Sequence, residues 1–572
     1  MKIKMSRRIV AVLATSGLLL AAAPALAPAQ AADACALGAT CEGSLTGPLG
    51  ASTFKIVMPT TFNGTVLLFS HGYRVGTPVP AALATPLGFA ANPAYVKTSV
   101  PAFAATFGTD VAYVGGGGAD VADNPLAIPA LLAQGYALAG TGYAKQGWAT
   151  AEGVESGENL LKYINAGAIK GVKKTMVWGE SLGGLIAQTI AERNPGKIAG
   201  SLPTCAPLAG PEQAFSGAMT VMYTWKTLIA PTLRVANYQS YPQALSDLGT
   251  VLTTLGGVAA GTVSTSAVGY PVAQANLLAG LMAGLPTKST VYDGQTVNPA
   301  FATLGTLAAV VGGYSPASAG ANSAAAMLQN VGGAAALGIL GRYELEQRAR
   351  AIASIPATTT ANFNDNINVS YTNLLSSEQR GEFGDTLNAS TVMPNLLNAM
   401  LAKLDASKGD ATARFGANAA AVAAVRALPA AKGVYSVPTL LISTTYDPIV
   451  AAGNTSEFYA KLAKSGAKSK LLKIAQYYTV PSPDGYTKFA AGGKSPDAAA
   501  SAAANTSGVG HCTFFGIAGG AQITNAVTTL NAMVNAKTAS ALKKAKAIEY
   551  ATAGVNNDGQ YEPDALKRPN AK

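Results

Sequence analysis

Histidine is nearly absent, with two residues, His71 and His511, in a chain of 572. Chemistry that needs an imidazole base must therefore use one of these two. A zinc site would have to be built from Cys or carboxylates, and none stand at zinc-ligand spacings. Neither a metal nor a cofactor is expected. Charge is also sparse, at 12% of residues against about 25% in an average globular chain. With 49% hydrophobic residues and 62 glycines, this excludes disorder throughout, which goes with high charge and few apolar side chains. Basic runs never exceed two residues, and four of the eleven excess positive charges (Lys2, Lys4, Arg7 and Arg8) lie in the first eight positions. The other seven form no concentrated basic footprint, so nucleic acid is not an expected partner. The glycines at 115–118 lack the Lys and Ser/Thr of a phosphate-binding loop.

After the N-terminus no apolar stretch approaches the ~20 residues of a membrane span. No transmembrane anchor is expected. The first 31 residues have the pattern of a secretory leader: a basic start ending in Arg7-Arg8, an apolar run from 9 to about 23, and a small-x-small site at Ala29-Gln30-Ala31. Pro24 and Pro28 cut the run short of a span. Ser6-Arg7-Arg8 is compatible with twin-arginine export as well as the general route. An exported, extracellular chain can hold disulfides. Its four cysteines permit three pairings. Cys35 and Cys41 are close enough for a local clip, which leaves Cys205 with Cys512; unpaired buried thiols are the alternative.

Short β-rich runs alternate with helical patterns, which predicts an α/β fold with a largely parallel sheet. Strands are expected at 52–58, 65–70, 135–141, 174–178, 198–202, 437–443 and 470–474. Helices are expected at 152–164, 185–193, 457–465 and from about 521. Between about 210 and 430 the pattern breaks into Ala-, Gly- and Leu-rich helical stretches with few strand signals. The expected division is a leader (1–31), a first core part (32–210), a mainly helical inserted cap (211–432), a second core part (433–545) and a polar tail (546–572). Residues 480–508 read as a surface loop. The polar, aromatic stretch NFNDNINVSY at 362–371 reads as a polymer- or surface-binding element, or else a solvated loop.

Gly179-Glu180-Ser181-Leu182-Gly183 fits G-x-S-x-G between a predicted strand and a predicted helix, the context of a nucleophile elbow. A serine hydroxyl needs a base, and the base needs an orienting carboxylate. In this arrangement they follow in the order Ser, acid, His. Asp447 comes directly after the strand VPTLLIS, and His511 lies in GVGHCTF before the last helix, so the order is met. An N-cap or turn aspartate is the structural alternative for Asp447. His71 ends the strand TVLLFS, where the following loop would supply a second oxyanion donor. The donors are assigned to the N–H groups of Leu182 and Tyr73. For His71 itself a buried loop histidine is expected.

These features resemble the α/β-hydrolase superfamily of serine hydrolases over roughly 50–210 and 435–540, and among them secreted bacterial esterases and lipases. The resemblance implies an α/β-hydrolase fold, a mostly parallel sheet flanked by helices. It also implies a large cap inserted after the strand that follows the nucleophile helix. His511-Cys512 is similar to the tannase and feruloyl esterase group, in which that cysteine is bonded to one beside the catalytic serine. Here Glu180 precedes Ser181, so an analogous bridge would run from Cys512 to Cys205. The expected function is hydrolysis of small-molecule or polymeric carboxylic esters by Ser181, His511 and Asp447. A secreted serine peptidase and a non-catalytic surface-binding protein are the alternatives.

Overall fold

A computed structural model describes residues 34–260, 262–284, 290–292, 295–297, 334–377, 379–381, 395–445, 447, 449–479, 511–512, 520–550, 557–558 and 562–568. The expected leader and the expected loop at 480–508 lie outside the described residues.

The first strands are β1 (Thr40–Gly47), β2 (Gly50–Val57) and β3 (Thr65–Ser70). All six residues of β3 are buried. A run of apolar residues without alternation needs cover on both faces, which a central parallel strand receives from helices. Val66 and Leu68 pack on one side of the sheet, Leu67 and Phe69 on the other. A small antiparallel sheet of β4 (Val79–Pro80), β5 (Tyr95–Ser99) and β6 (Val111–Gly115) follows. The main sheet continues with β7 (Ala137–Thr141), β8 (Lys174–Glu180) and β9 (Gly200–Thr204). A hairpin of β10 (Thr290–Tyr292) and β11 (Gln295–Val297) stands apart. After it come β12 (Thr439–Thr444), β13 (Ile474–Thr479) and β14 (Asn557–Asp558).

The nine-stranded sheet has the order β1-β2-β7-β3-β8-β9-β12-β13-β14. It is parallel from β7 to β13 and antiparallel at both ends. Helices α1 (Thr150–Tyr163) and α2 (Leu182–Arg193) cover one face. Between β9 and β12 run α3 (Pro211–Leu228), α4 (Tyr241–Ala259), α5 (Val272–Ala283), α6 (Arg342–Ala353), α7 (Leu396–Asp405) and α8 (Ala419–Arg426). Helix α9 (Gly453–Ser465) joins the α1/α2 face, and α10 (Ala521–Asn535) and α11 (Ala539–Tyr550) cover the other. The chain passes from β3 out to β7 and returns across β3 to β8. Strand order thus reverses beside β3, and such switch points open a crevice at the carboxyl ends of the strands. The architecture is an α/β-hydrolase fold, with a mainly helical segment after β9.

Some elements differ from expectation. The strand expected at 470–474 is β13, because register with β12 runs from Thr439↔Ile474 to Thr444↔Thr479. Leu471 and Leu472, which looked like strand residues, instead precede β13 and pack against the hydrophobic clusters of the two sheet faces. β1 has few apolar residues and is a strand only through its ladder with β2. Within the expected polar tail, α11 extends to Tyr550 and β14 pairs with β13.

The stretch 362–371 is neither a binding surface nor a solvated loop. Asn362, Phe363, Asn364, Asn366 and Tyr371 are all buried. Their polar groups serve two guanidiniums that have left water. Arg342 donates to Asn362 Oδ1 (3.1 Å), Asn364 Oδ1 (2.8 Å) and the Phe215 carbonyl (2.7 Å). Arg414 donates to the carbonyls of Asn366, Val369 and Leu404. A buried charge is tolerated only when its hydrogen bonds are made. Arg342→Ala is therefore expected to lower stability by about 3–5 kcal/mol, read as a fall in urea midpoint at constant slope. An unchanged midpoint would show that these bonds do not hold the segment together.

Candidate active site

β8 passes into α2 through Ser181, at φ 55° and ψ −126°. A non-glycine residue at positive φ is strained and persists only when its surroundings fix it. The Ser181 N–H donates to the Thr204 carbonyl on β9 at 2.8 Å. The glycines of the motif have steric causes. A β-carbon at position 183 would lie 2.0 Å from the Ser70 carbonyl oxygen and 2.6 Å from that of His71. At Gly179 it would lie 2.5 Å from the Gly183 carbonyl. Leu182 opens α2, where the first N–H groups have no intrahelical acceptor.

The loop after β3 abuts the elbow: a β-carbon at Gly72 would lie 3.6 Å from that of Ser181. His71 is buried and stacked on Tyr143 at 3.8 Å, and the Tyr143 hydroxyl donates to the His71 carbonyl. Its Nδ1 bonds the Gly72 carbonyl at 2.7 Å. Burial, then the charge of Arg74, lowers its pKa to about 3. The ring is neutral at physiological pH, as suits a structural loop histidine.

Asp447 lies beyond the end of β12, buried, with Oδ1 accepting from the N–H groups of Ile449 (2.8 Å) and Val450 (2.9 Å). Its Oδ2 meets Nδ1 of His511 at 2.7 Å. A carboxylate can only accept, so Nδ1 carries a proton, which in the neutral ring leaves the lone pair on Nε2. That Nε2 is buried and makes no hydrogen bond among the described residues, to Ser181 or otherwise. Such bonds often close only once substrate is bound. Cys512 is bonded to Cys205, at the end of β9, and Cys35 to Cys41. The first bridge ties the histidine to the strand whose Thr204 holds Ser181. Both Cys205 (φ 43°) and Cys512 (φ 51°) also sit at positive φ.

Ser181, Leu182, Tyr73 and Asp447 line one cavity of about 120 Å³. Its far wall is apolar and comes largely from the helical segment: Phe215, Val221, Met222 and Trp225 of α3, Ala283 of α5, and Leu337 and Gly338. Sequence reading missed these residues, since their helical periodicity is that of any core helix. It also missed two carboxyls. Glu180 is pushed well above the usual carboxylate range by burial, then by the charge and hydrogen bond of Asp123 and the charge of Asp447. Glu344 is raised to about 7 by burial, against hydrogen bonds from Tyr73, Gly76 and Thr77.

Among solved structures the chain is similar to an arylesterase (15% identity over 31% of this chain and 48% of that one, TM-score 0.19). It is similar also to an esterase of Pyrobaculum calidifontis (14% identity, 30% and 47% covered, TM-score 0.19). A third is the rice cell wall degrading esterase LipA from Xanthomonas oryzae (14% identity, 79% and 85% covered, TM-score 0.29). The chain spans about half the length of the first two. No family model and no curated protein matches it. At these TM-scores the fold rests on strand order and elbow geometry, and the reading of the site on its own contacts.

Gly183→Ala is expected to abolish soluble folded protein or lower the melting temperature by several degrees, about 1–3 kcal/mol of overpacking strain. A wild-type melting curve would contradict the close approach. Mass mapping of non-reduced peptides should recover Cys205 linked to Cys512; a different partner for either would dismantle the histidine tether.

Proposed function

We propose that this protein is an exported serine hydrolase that cleaves carboxylic esters carrying an apolar acyl group. The observation that carries the reading is the 2.7 Å contact of His511 Nδ1 with Asp447, two residues 64 positions apart, with Asp447 lining the same cavity as a serine strained into an elbow. In this reading Ser181 Oγ attacks the ester carbonyl while His511 Nε2 takes its proton. The N–H groups of Leu182 and Tyr73 hold the oxyanion, each worth about 3 kcal/mol. Collapse of the tetrahedral intermediate expels the alcohol, which receives the proton from His511, and leaves an acyl-enzyme. Water then repeats the sequence and frees the acid. Asp447 keeps His511 in the required tautomer.

The apolar wall of the cavity supports an acyl chain as the group bound there, with the helices after β9 acting as a cap. Export is supported by the leader pattern and by the two disulfides, which persist in oxidising compartments. Among the described residues no helix is long and apolar enough to cross a membrane.

A nitrophenyl ester panel tests the reading. Ser181→Ala and His511→Ala should each lower kcat by about 10⁴-fold or more, and a fluorophosphonate should label Ser181. Pure folded wild type inert to every ester, or cleaving peptides instead, would end the esterase reading. The acyl assignment predicts a second effect. A β-carbon at Gly338 would stand 3.6 Å from that of Ala218, so Gly338→Leu should narrow the cavity. It should cut kcat/KM for octanoate at least about tenfold more than for acetate; equal losses would place the acyl chain elsewhere.

A further inference from the structure

Glu344 belongs to α6, 271 residues after Tyr73, yet its carboxylate reaches the loop that follows β3. Oε2 accepts the Tyr73 hydroxyl at 2.7 Å. Oε1 accepts the Gly76 N–H at 2.7 Å and the Thr77 hydroxyl at 3.3 Å. Position 147 encloses the carboxylate from another side: a β-carbon there would lie 2.5 Å from Oε2. Two backbone anchors of the loop come from the sheet and its connections. The Gly147 N–H donates to the Arg74 carbonyl at 2.7 Å, and the Gly115 N–H to that of Val75 at 2.8 Å. Glu344 instead ties the loop to the helical segment, as does the Tyr241 hydroxyl of α4 further along, which donates to the Pro78 carbonyl at 2.7 Å. The Tyr73 ring makes the same bridge in apolar terms, since it packs against the hydrophobic clusters of both parts.

We propose that Glu344 is a positioning residue for the oxyanion site: by gripping Tyr73, Gly76 and Thr77 it fixes the loop so that the Tyr73 N–H stays aimed at the substrate oxygen. The assignment rests on the serine esterase reading above. One carboxylate binding a side chain at position 73 and a backbone group at 76 sets the curvature of the loop between them. Above its pKa of about 7 the carboxyl is ionised, and hydrogen bonds to an ionised acceptor are the stronger kind. Oxyanion donors work only when held in place beforehand, and a displacement of about 1 Å can cost on the order of 100-fold in rate. A consequence is that the oxyanion site is complete only while the helical segment is seated on the sheet.

The test is steady-state hydrolysis of nitrophenyl butanoate by wild type, E344A, E344Q and Y73F. E344A should lower kcat roughly 10- to 100-fold while KM stays within about twofold, because the donor acts on the transition state and not on ground-state binding. E344Q keeps the shape and an acceptor oxygen, and should retain kcat within about threefold of wild type. Y73F, which deletes one hydroxyl, should lower kcat at least about threefold. A wild-type kcat in E344A, or a loss confined to KM, overturns the proposal. If E344A does not fold, Y73F decides, and an unchanged kcat there overturns it. Active wild type with unaffected variants defeats the positioning role alone, whereas wild type inert to every ester defeats the esterase reading beneath it.

Discussion

The junction of β8 and α2 leaves no space for a β-carbon at position 179 or 183. The carbonyl oxygens of Ser70 and His71 lie where the side chain of residue 183 would begin, so the end of β3 and the start of α2 are pressed together. This single approach fixes two things at once. It holds Ser181 in its positive-φ conformation at the carboxyl edge of the sheet, and it brings the loop carrying Tyr73 beside the serine. The remaining parts reach the same edge from β9 and β12, strands that lie next to β8 in order. Three non-glycine residues at positive φ, Ser181, Cys205 and Cys512, collect there, and strain of this kind is held where surrounding contacts over-determine the backbone.

The helical segment solves a different problem. It carries charges into the interior and satisfies them with asparagines and carbonyls, as at Arg342 and Arg414. It is then seated on the sheet domain by specific pairs, including the two-pronged bond of Arg348 on α6 to Glu152 on α1 at 2.8 and 2.9 Å. Glu344, four residues earlier on α6, extends that attachment to the loop after β3. One helix thus links the cavity wall, the sheet and the loop. A chain with few charges has placed several of them at the contact between its two parts.

Much of this is legible in the sequence. The strand-turn-helix at 174–193 declared its elbow because glycine spacing and a change from strand to helical period are local. The chain order of Ser181, Asp447 and His511 followed from the positions of predicted strands, and scarcity of histidine narrowed the choice further. β1 escaped notice because an exposed edge strand has no apolar alternation to betray it. β13 was misplaced by a few residues because Gln476 and two tyrosines interrupt its apolar character, while the neighbouring leucines mimic a strand. The asparagines at 362–366 misled for a related reason. Composition reports that a side chain is polar, and cannot report that a guanidinium 20 residues away will bury it.

By itself, then, the sequence determined what short-range stereochemistry determines: the alternation of elements, the elbow, and the positions of Asp447 and the two histidines relative to the strands; the cysteine clip it offered as one pairing among three. The tertiary structure alone decided that Glu344 grips the loop of Tyr73 across 271 positions, that Asn362 and Asn364 are buried on Arg342, and that α3 and α5 wall a cavity over the serine. Those outcomes depend on how helices pack on a sheet, and packing brings together residues whose separation along the chain carries no signal of their contact.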